Sequence, residues 1–450
     1  MAVCTYEKII KYRVAACCTQ PLHIGNAMGS KEEVLIHPTD DLPFIQASSI
    51  AGVCRDYFAK EYGESAAEQL FGTGEAGCGS RICFTDGIFS GDRPVLELRP
   101  RVRIDCRTGS CGSSMIKGTG QQSGHKFQVE YIGAGAEFVC YIYLYEESMA
   151  QQTERMLAAV HQGLVQLGGL KSSGCGFLKL QALGKKVFTM TQAQDRRAWA
   201  KEDELPADAY DDILTGLRTE GGQGTAYEIF VSGRTEGSML VKSIAITNAG
   251  GNTSFCTNLK NAAQEHIVPG SSLKGALRNQ MEKIADYLGR QELITDTFGY
   301  TKDAAGDGKA GNIVFYDTVV GKKEENERME LSSRIHIDKF TGGVMDGGLF
   351  QEKNIAGELE FHISVKDKNN PDSTSGLLLL ALRDLAVGLV NIGSGYGVGK
   401  GMIAVERIVM KDEKHHTEAT VTFSDAGSIA DGHGLIAKCL QAVYGKEQAV

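Results

Sequence analysis

Ser48-Ser49-Ile50-Ala51-Gly52-Val53-Cys54-Arg55 returns later in the chain as Ser271-Ser272-Leu273-Lys274-Gly275-Ala276-Leu277-Arg278. Three further segments repeat in the same order. Arg81-Ile82-Cys83-Phe84-Thr85-Asp86 matches Asn312-Ile313-Val314-Phe315-Tyr316-Asp317, and Arg103-Ile104-Asp105 matches His336-Ile337-Asp338. The stretch from Leu167-Gly168-Gly169 to Ser173-Gly174-Cys175-Gly176 matches the one from Ile392-Gly393-Ser394 to Val398-Gly399-Lys400-Gly401. Preserved order at a nearly constant offset is the signature of duplication. The chain therefore reads as two tandem domains, residues 1–215 and 216–450. The seam lies near the acidic run Glu202-Asp203-Glu204 to Asp211-Asp212, followed by Thr219-Glu220-Gly221-Gly222.

Each copy carries the same outline. A strand lies near its start (Lys11–Ala15; Tyr227–Val231), and a helix opens at the serine pair (Ser48–Tyr62; Ser271–Leu288), where a hydroxyl is expected to cap free amides. A β-rich stretch follows (Phe138–Tyr145; Leu359–Val365), then a second helix with apolar residues at helical spacing (Met149–Leu167; Gly376–Val390). A glycine loop then leads into a last strand (Phe177–Leu180; Met402–Val405). This outline is an α+β class, ferredoxin-like unit, with insertions accounting for the length of each copy.

Composition narrows the function classes. The 450 residues are 42% hydrophobic and 23% charged, which argues for a folded protein. No apolar run is long enough to span a membrane, so no membrane partner is expected. The N-terminal Met1-Ala2-Val3-Cys4-Thr5-Tyr6-Glu7-Lys8 lacks the layout of a secretory signal. Twelve cysteines without a C-x-x-C pair point to reduced, mostly buried thiols in a cytoplasmic protein and leave no metal–thiolate site in view. A net charge of −9 confines any nucleic-acid site to a local basic strip.

The loop Gly393-Ser394-Gly395-Tyr396-Gly397-Val398-Gly399-Lys400-Gly401 fails as a Walker loop. Ser394 stands where the first glycine is required, Gly401 follows the lysine, and a β-type run comes next. A dinucleotide fingerprint fails because its loop must open a helix, and here the helix precedes the loop. What remains is either bare main chain offered to phosphates or a glycine-lined turn packed on a neighbour. Lys274 and Arg278, four apart near a helix N-terminus, suit phosphate; Ala51 replaces the lysine in the first copy, while Arg55 keeps the arginine. No H-E-x-x-H, G-x-S-x-G or Cys/His signature is present. The carboxylates between Lys31-Glu32-Glu33 and Asp40-Asp41 read as a cation site or as a solvated loop.

Ile267-Val268-Pro269-Gly270-Ser271-Ser272-Leu273-Lys274-Gly275-Ala276-Leu277-Arg278 resembles the signature helix start of the RAMP superfamily of CRISPR systems, and Gly393–Gly401 resembles its glycine loop. Arg334-Ile335-His336-Ile337-Asp338-Lys339-Phe340-Thr341-Gly342-Gly343 is similar to the inserted segment of type III backbone subunits. The first copy matches through Leu22-His23-Ile24-Gly25, Leu42-Pro43-Phe44-Ile45-Gln46-Ala47-Ser48-Ser49 and Arg103-Ile104-Asp105.

The resemblance implies two RNA-recognition-type RAMP domains, each with an inserted β-rich thumb, like the double backbone subunits of type III-D-like effector complexes. The implied partners are guide crRNA, complementary target RNA, neighbouring RAMP subunits and a large signature subunit. Implied RNA contacts are Ser48, Ser49, Arg55, Gly168, Gly169, Lys171, Gly174 and Gly176 in the first copy. In the second they are Ser271, Ser272, Lys274, Arg278, Arg334, Lys339, Gly393, Gly395, Gly397, Gly399 and Lys400. Slicing relatives place an aspartate between the first strand and the signature helix; Lys31 and Ser254, near Asn252 and Thr253, fall there instead. Glu32, Glu33 and Asp40 are the substitutes in view for metal-dependent target cleavage, and Mg2+ or Mn2+ is implied only for a slicing chain. A third option, metal-free guide processing by histidine, points to His23 and His266.

Overall fold

The computed structural model describes residues 6–25, 32–73, 79–91, 93–102, 104, 113–115, 122–124, 126–201, 205–217, 224–243, 246–247, 253–300, 308–321, 328–423 and 427–445. The chain divides into two compact units. One gathers Met1–Glu97, Glu130–Lys171 and Cys175–Gly222; the other gathers Leu98–Val129, Ser172–Gly174 and Gln223–Val450.

The first unit is built on β1 (Lys8–Cys18), α1 (Ala47–Tyr62), β2 (Ile82–Phe84), β5 (Glu137–Leu144), α2 (Ala150–His161) and β6 (Leu178–Thr189), with the short α3 (Ala193–Trp199) after it. Between β2 and β5 runs an inserted ribbon, β3 (Leu96–Val102) paired with β4 (Lys126–Ile132). In the sheet, β1 lies between β6 and β5, and β2 pairs with β5. The order last-first-third-second is the ferredoxin-like arrangement expected from the sequence. These neighbours are antiparallel, which leaves β1 parallel to β2 and β5 parallel to β6; parallel strands need crossovers, and α1 and α2 supply them.

The second unit repeats this with β7 (Thr225–Glu236), α4 (Gly270–Leu288), β8 (Ile313–Phe315), β11 (Glu358–Lys366), α5 (Pro371–Ala386) and β12 (Met402–Asp412). Its sheet runs β8-β11-β7-β12 and is extended by Thr417–Thr422 and Ser428–Ala430. The inserted thumb is a hairpin of β9 (Arg328–Ile337) and β10 (Val344–Ala356), with Thr253–Cys256 parallel to β10. Both units even carry a β-bulge between first and last strands, at Ala15/Ala16 and at Ser232/Gly233.

Local sequence explains these elements. In β7 the buried set Tyr227, Ile229, Val231, Gly233 and Thr235 alternates with outward residues, the period of two that a one-sided strand requires. In α4, Leu273, Leu277, Met281 and Ala285 form a stripe at four-residue spacing, and Gly289 ends the helix in the left-handed region. Each fully buried Leu or Met contributes roughly 1.5–3 kcal/mol of transfer free energy. The second helices are shorter or earlier than the periodicity suggested. α2 stops at His161, before Gly163 with φ +75°, and α5 begins at Pro371, which fits the first helical turn.

Equivalent core positions differ in size. Cys54 and Cys140 in the first unit stand where Leu277 and Phe361 stand in the second. A cavity of about 30 Å3, lined by Val14, Ala16, Cys54, Phe138, Cys140 and Leu157 among others, remains in the first unit. Burial pushes both the Cys54 and Cys140 thiols up to about 12. Among the described cysteines Cys18, Cys54, Cys140, Cys175 and Cys439 are buried, and none forms a disulfide. No described helix is long and apolar enough to cross a membrane.

Candidate nucleic-acid interface

Neither serine pair caps its helix. α1 starts at Ala47 after Gln46, and α4 starts at Gly270 after Pro269, with no side-chain cap at either N-cap residue. The first amide of each helix goes instead to an aspartate that follows the second strand of the palm, the ferredoxin-like core of each unit. Asp86 Oδ1 accepts from Ala47 N–H at 2.7 Å, and Asp317 Oδ1 accepts from Gly270 N–H at 2.8 Å. A carboxylate there complements the positive end of the helix dipole. Within the second unit Asp317 also holds Arg99, whose Nη1 lies 2.6 Å from Oδ2 with the arginine side chain 5% exposed. The expected hydroxyl capping is thus replaced by carboxylate capping, and an incoming phosphate does not find the first amide free.

The serines remain available as hydroxyls: Ser48 is exposed, while Ser49, Ser271 and Ser272 are half-buried. The cations near them are engaged locally. Arg55 pairs with Glu64, and Arg278 donates to Glu282 at 2.7 Å while its guanidinium lies 5.0 Å from the Phe298 ring centre. Lys274 Nζ donates to Ser172 Oγ at 2.7 Å within the second unit. Burial, with Arg278 and Arg101 nearby, brings the Lys274 ammonium down to about 8. Burial also lowers Lys171, against the opposing pull of Asp56, with Lys60 adding to the drop.

The two glycine loops share one main-chain scaffold. The carbonyl of His23 accepts from Gly169 N–H at 2.9 Å, as that of Leu240 accepts from Ser394 N–H at 2.8 Å. Leu167 N–H donates to the Gly176 carbonyl at 2.8 Å, as Ile392 N–H donates to that of Gly401 at 2.9 Å. A Cβ on Gly168, Gly176, Gly393 or Gly401 would lie 2.3, 1.9, 2.7 or 2.2 Å from a carbonyl oxygen, so these four serve close packing. Gly395 faces the aliphatic part of Lys400, at 3.0 Å from an added Cβ. Gly397 and Gly399 are exposed with nothing nearby, and Gly169 is exposed as well. Only that outer part of the loops matches the expectation of bare main chain turned to solvent.

Lys400 is not turned to solvent. It is 6% exposed, and its Nζ donates to Glu352 at 2.7 Å and to Asn354 Oδ1 at 2.6 Å, both on β10. It pins the loop to the thumb. Glu352 gathers two more cations, Lys242 at 3.5 Å and Arg334 at 3.6 Å, which are 49% and 37% exposed. Burial would raise the Glu352 carboxyl, but the Lys400 hydrogen bond and the charges of Lys400, Lys242 and Arg334 hold it below the ordinary range. Three cations on one carboxylate leave a positive excess at the thumb base, beside the exposed loop tip. Lys339 lies exposed in the thumb turn, where Asp338 Oδ1 accepts from Phe340 N–H at 2.7 Å.

The carboxylate candidates do not converge. Glu32 and Glu33 are exposed, Asp40 Oδ1 closes a turn by accepting from Leu42 N–H at 3.1 Å, and no described group of three metal-ligating side chains exists. Lys31 and Asn252 lie outside the described residues, and Thr253 and Ser254 lie in a strand rather than a loop. His23 is 7% exposed with Nδ1 2.8 Å from the Glu130 carbonyl, and His266 is 4% exposed, so both rings are enclosed by protein.

Sequence reasoning missed Asp86, Asp317, Arg99, Lys242 and Glu352. The aspartates had a signal, since each ends a repeated segment whose neighbours change. Lys242 and Glu352 had none, because they meet only through the thumb.

A family model described as RAMP superfamily matches residues 18–179 and 212–403, more than half of the chain. No curated protein matches it. Among solved structures, a chain of the Type III-B Cmr-beta complex bound to cognate target RNA is similar at 21% identity and a TM-score of 0.30. The match covers 40% of this chain and 61% of that one.

Proposed function

The chain belongs to the RAMP superfamily, and from that premise we propose that it is a guide-binding backbone subunit of a type III-D-like CRISPR effector complex. Its two domains, residues 1–215 and 216–450, occupy two successive positions on one crRNA and shape the guide–target duplex for antiviral defence. Its protein partners are neighbouring RAMP subunits and a large signature subunit, in the cytoplasm. The observation that carries this reading is the cation excess around Glu352, with Lys242 and Arg334 partly open beside the exposed tip of the loop. Phosphate is the anion such a cluster suits, and contact through phosphate leaves the guide sequence free to vary. The second reading is a Mg2+- or Mn2+-dependent slicer of guide-paired target RNA; it would draw on Glu32, Glu33 and Asp40, of which Asp40 already accepts from Leu42 N–H.

Salt dependence of guide binding tests the reading. Single-stranded RNA contacts contribute about 0.7 to the log–log salt slope per phosphate neutralised, so Lys242→Ala with Arg334→Ala is expected to flatten it by roughly 1.4. Both side chains are partly exposed, so the fold tolerates their loss. An unchanged slope in the doubly substituted chain would remove the thumb base from the RNA track.

A further inference from the structure

The two loop tips have the same main-chain form and opposite surroundings. Lys171–Ser173 and Tyr396–Val398 are both 3-10 turns, followed by Gly174 at φ +79° and Gly399 at φ +76°. The first tip, Ser172–Gly174, is a built-in part of the second unit. There Ser172 receives Lys274, and the Ser173 carbonyl lies over Gly270, 2.9 Å from where a Cβ would sit. Gly174 abuts the strand end, with an added Cβ 2.7 Å from the Phe315 oxygen. So the receptor for a tip is a RAMP palm edge: the first residue of the signature helix and the end of the second strand. The other tip has no such seat among the described residues. A Cβ added at Gly397 or Gly399 would meet nothing within 4 Å, and Tyr396 and Val398 are 65% and 57% exposed.

We propose that the Tyr396-Gly397-Val398-Gly399 tip is a docking element that seats on the signature-helix start of a RAMP subunit in another chain. The occupant follows from the seat, where a Cβ at Gly270 would meet the Phe315 carbonyl at 2.1 Å and the Ser173 carbonyl of the seated tip at 2.9 Å, so the first helical position is kept to glycine. A second copy of this chain offers Ala47 in its first unit, and that methyl takes the space the carbonyl needs, so a different RAMP polypeptide is the partner. Tyr396 and Val398, in place of Lys171 and Ser173, give the contact an apolar character, which selects a partner edge without a cation at the Lys274 position. This inference rests on the RAMP backbone reading, and it assigns the tip to protein rather than to RNA.

Photocrosslinking within the assembled guide-RNA complex tests it, with p-benzoylphenylalanine replacing Tyr396. The expected product is a protein adduct mapping to the first helical turn of another RAMP chain. Adducts to RNA alone, adducts within the same chain, or none would overturn the proposal. In parallel, Val398→Asp is expected to reduce retention of that partner by about tenfold or more, the effect of one charge in an apolar contact. Its guide-RNA affinity is expected to stay within about twofold, since no phosphate contact is removed. Unchanged retention overturns the docking role and leaves the RNA reading intact. A chain carrying both Lys242→Ala and Arg334→Ala, with an unaltered salt slope but the protein adduct still formed, removes the RNA reading and keeps this one.

Discussion

Asp86 and Asp317 take the same amide in the two repeats, yet among the described residues only Asp317 is joined to a buried arginine. The first-copy helix start is therefore tied at one point, whereas the second is bound to Arg99 and covered by Ser173 and Gly174. One sequence motif can serve as a surface in one copy and as a receptor in the other. What decides between them lies outside the motif.

Removing the two carboxylates separates these roles most sharply. Asp317→Ala takes away both the helix-start acceptor and a carboxylate 2.6 Å from the buried Arg99, and is expected to cost about 2–3 kcal/mol. Asp86→Ala loses a single helix-start hydrogen bond, about 1 kcal/mol. Equal shifts of the two variants in urea unfolding would break the contrast.

The glycines give the next largest difference. Gly174→Ala combines a left-handed backbone with a methyl driven against the Phe315 carbonyl, and about 3 kcal/mol or more is expected. Gly399→Ala meets open space and carries only the left-handed penalty, about 1–2 kcal/mol. Thermal melts of the two variants rank them; the reverse order would mean that the first tip is not seated as described.

Much of this fold was legible in the chain. The repeated segments gave the strand and helix order, because ferredoxin-like units depend on local periodicity that each copy states twice. The helix caps were misread for a physical reason. A serine in a first turn looks like a cap, but a carboxylate delivered by tertiary structure, such as Asp317 from 47 residues away, is the better acceptor and takes the amide. Lys400 was misread likewise: a lysine in a glycine loop looks open, and only the return of β10 places Glu352 and Asn354 on it. The contacts around Glu352 join residues that are remote in sequence, and no spacing rule brings them together.

Lys274 provides a pH test confined to the second copy, where Ala51 is its first-copy counterpart. Its pKa in the fold, about 8, lies below the ordinary 10.5 because burial disfavours the charge. Below pH 8 both folded and unfolded chains hold the proton, and the fold bears the whole cost of burying it. Between pH 8 and 10.5 the unfolded chain binds more protons, so stability rises with pH across that window. Urea midpoints are expected to climb there in the native chain and to climb less in Lys274→Met. Parallel curves would mean that Lys274 is not the titrating group.

The smallest effect concerns the cores. Cys140→Val adds about one methyl-sized group to the 30 Å3 cavity of the first unit, at the position where the second carries Phe361. A gain of roughly 0.5–1 kcal/mol is expected in unfolding experiments, since a valine also favours a strand. Destabilisation would show that the space is already closed by its neighbours.

The most direct measurement is crosslinking of photoreactive guide RNA to the chain in the assembled complex, with the attached peptides identified by mass spectrometry. Adducts at the thumb base, in the peptides holding Lys242 and Arg334, are the outcome this structure calls for. A guide that marks only peptides remote from Glu352 and its three cations would contradict it.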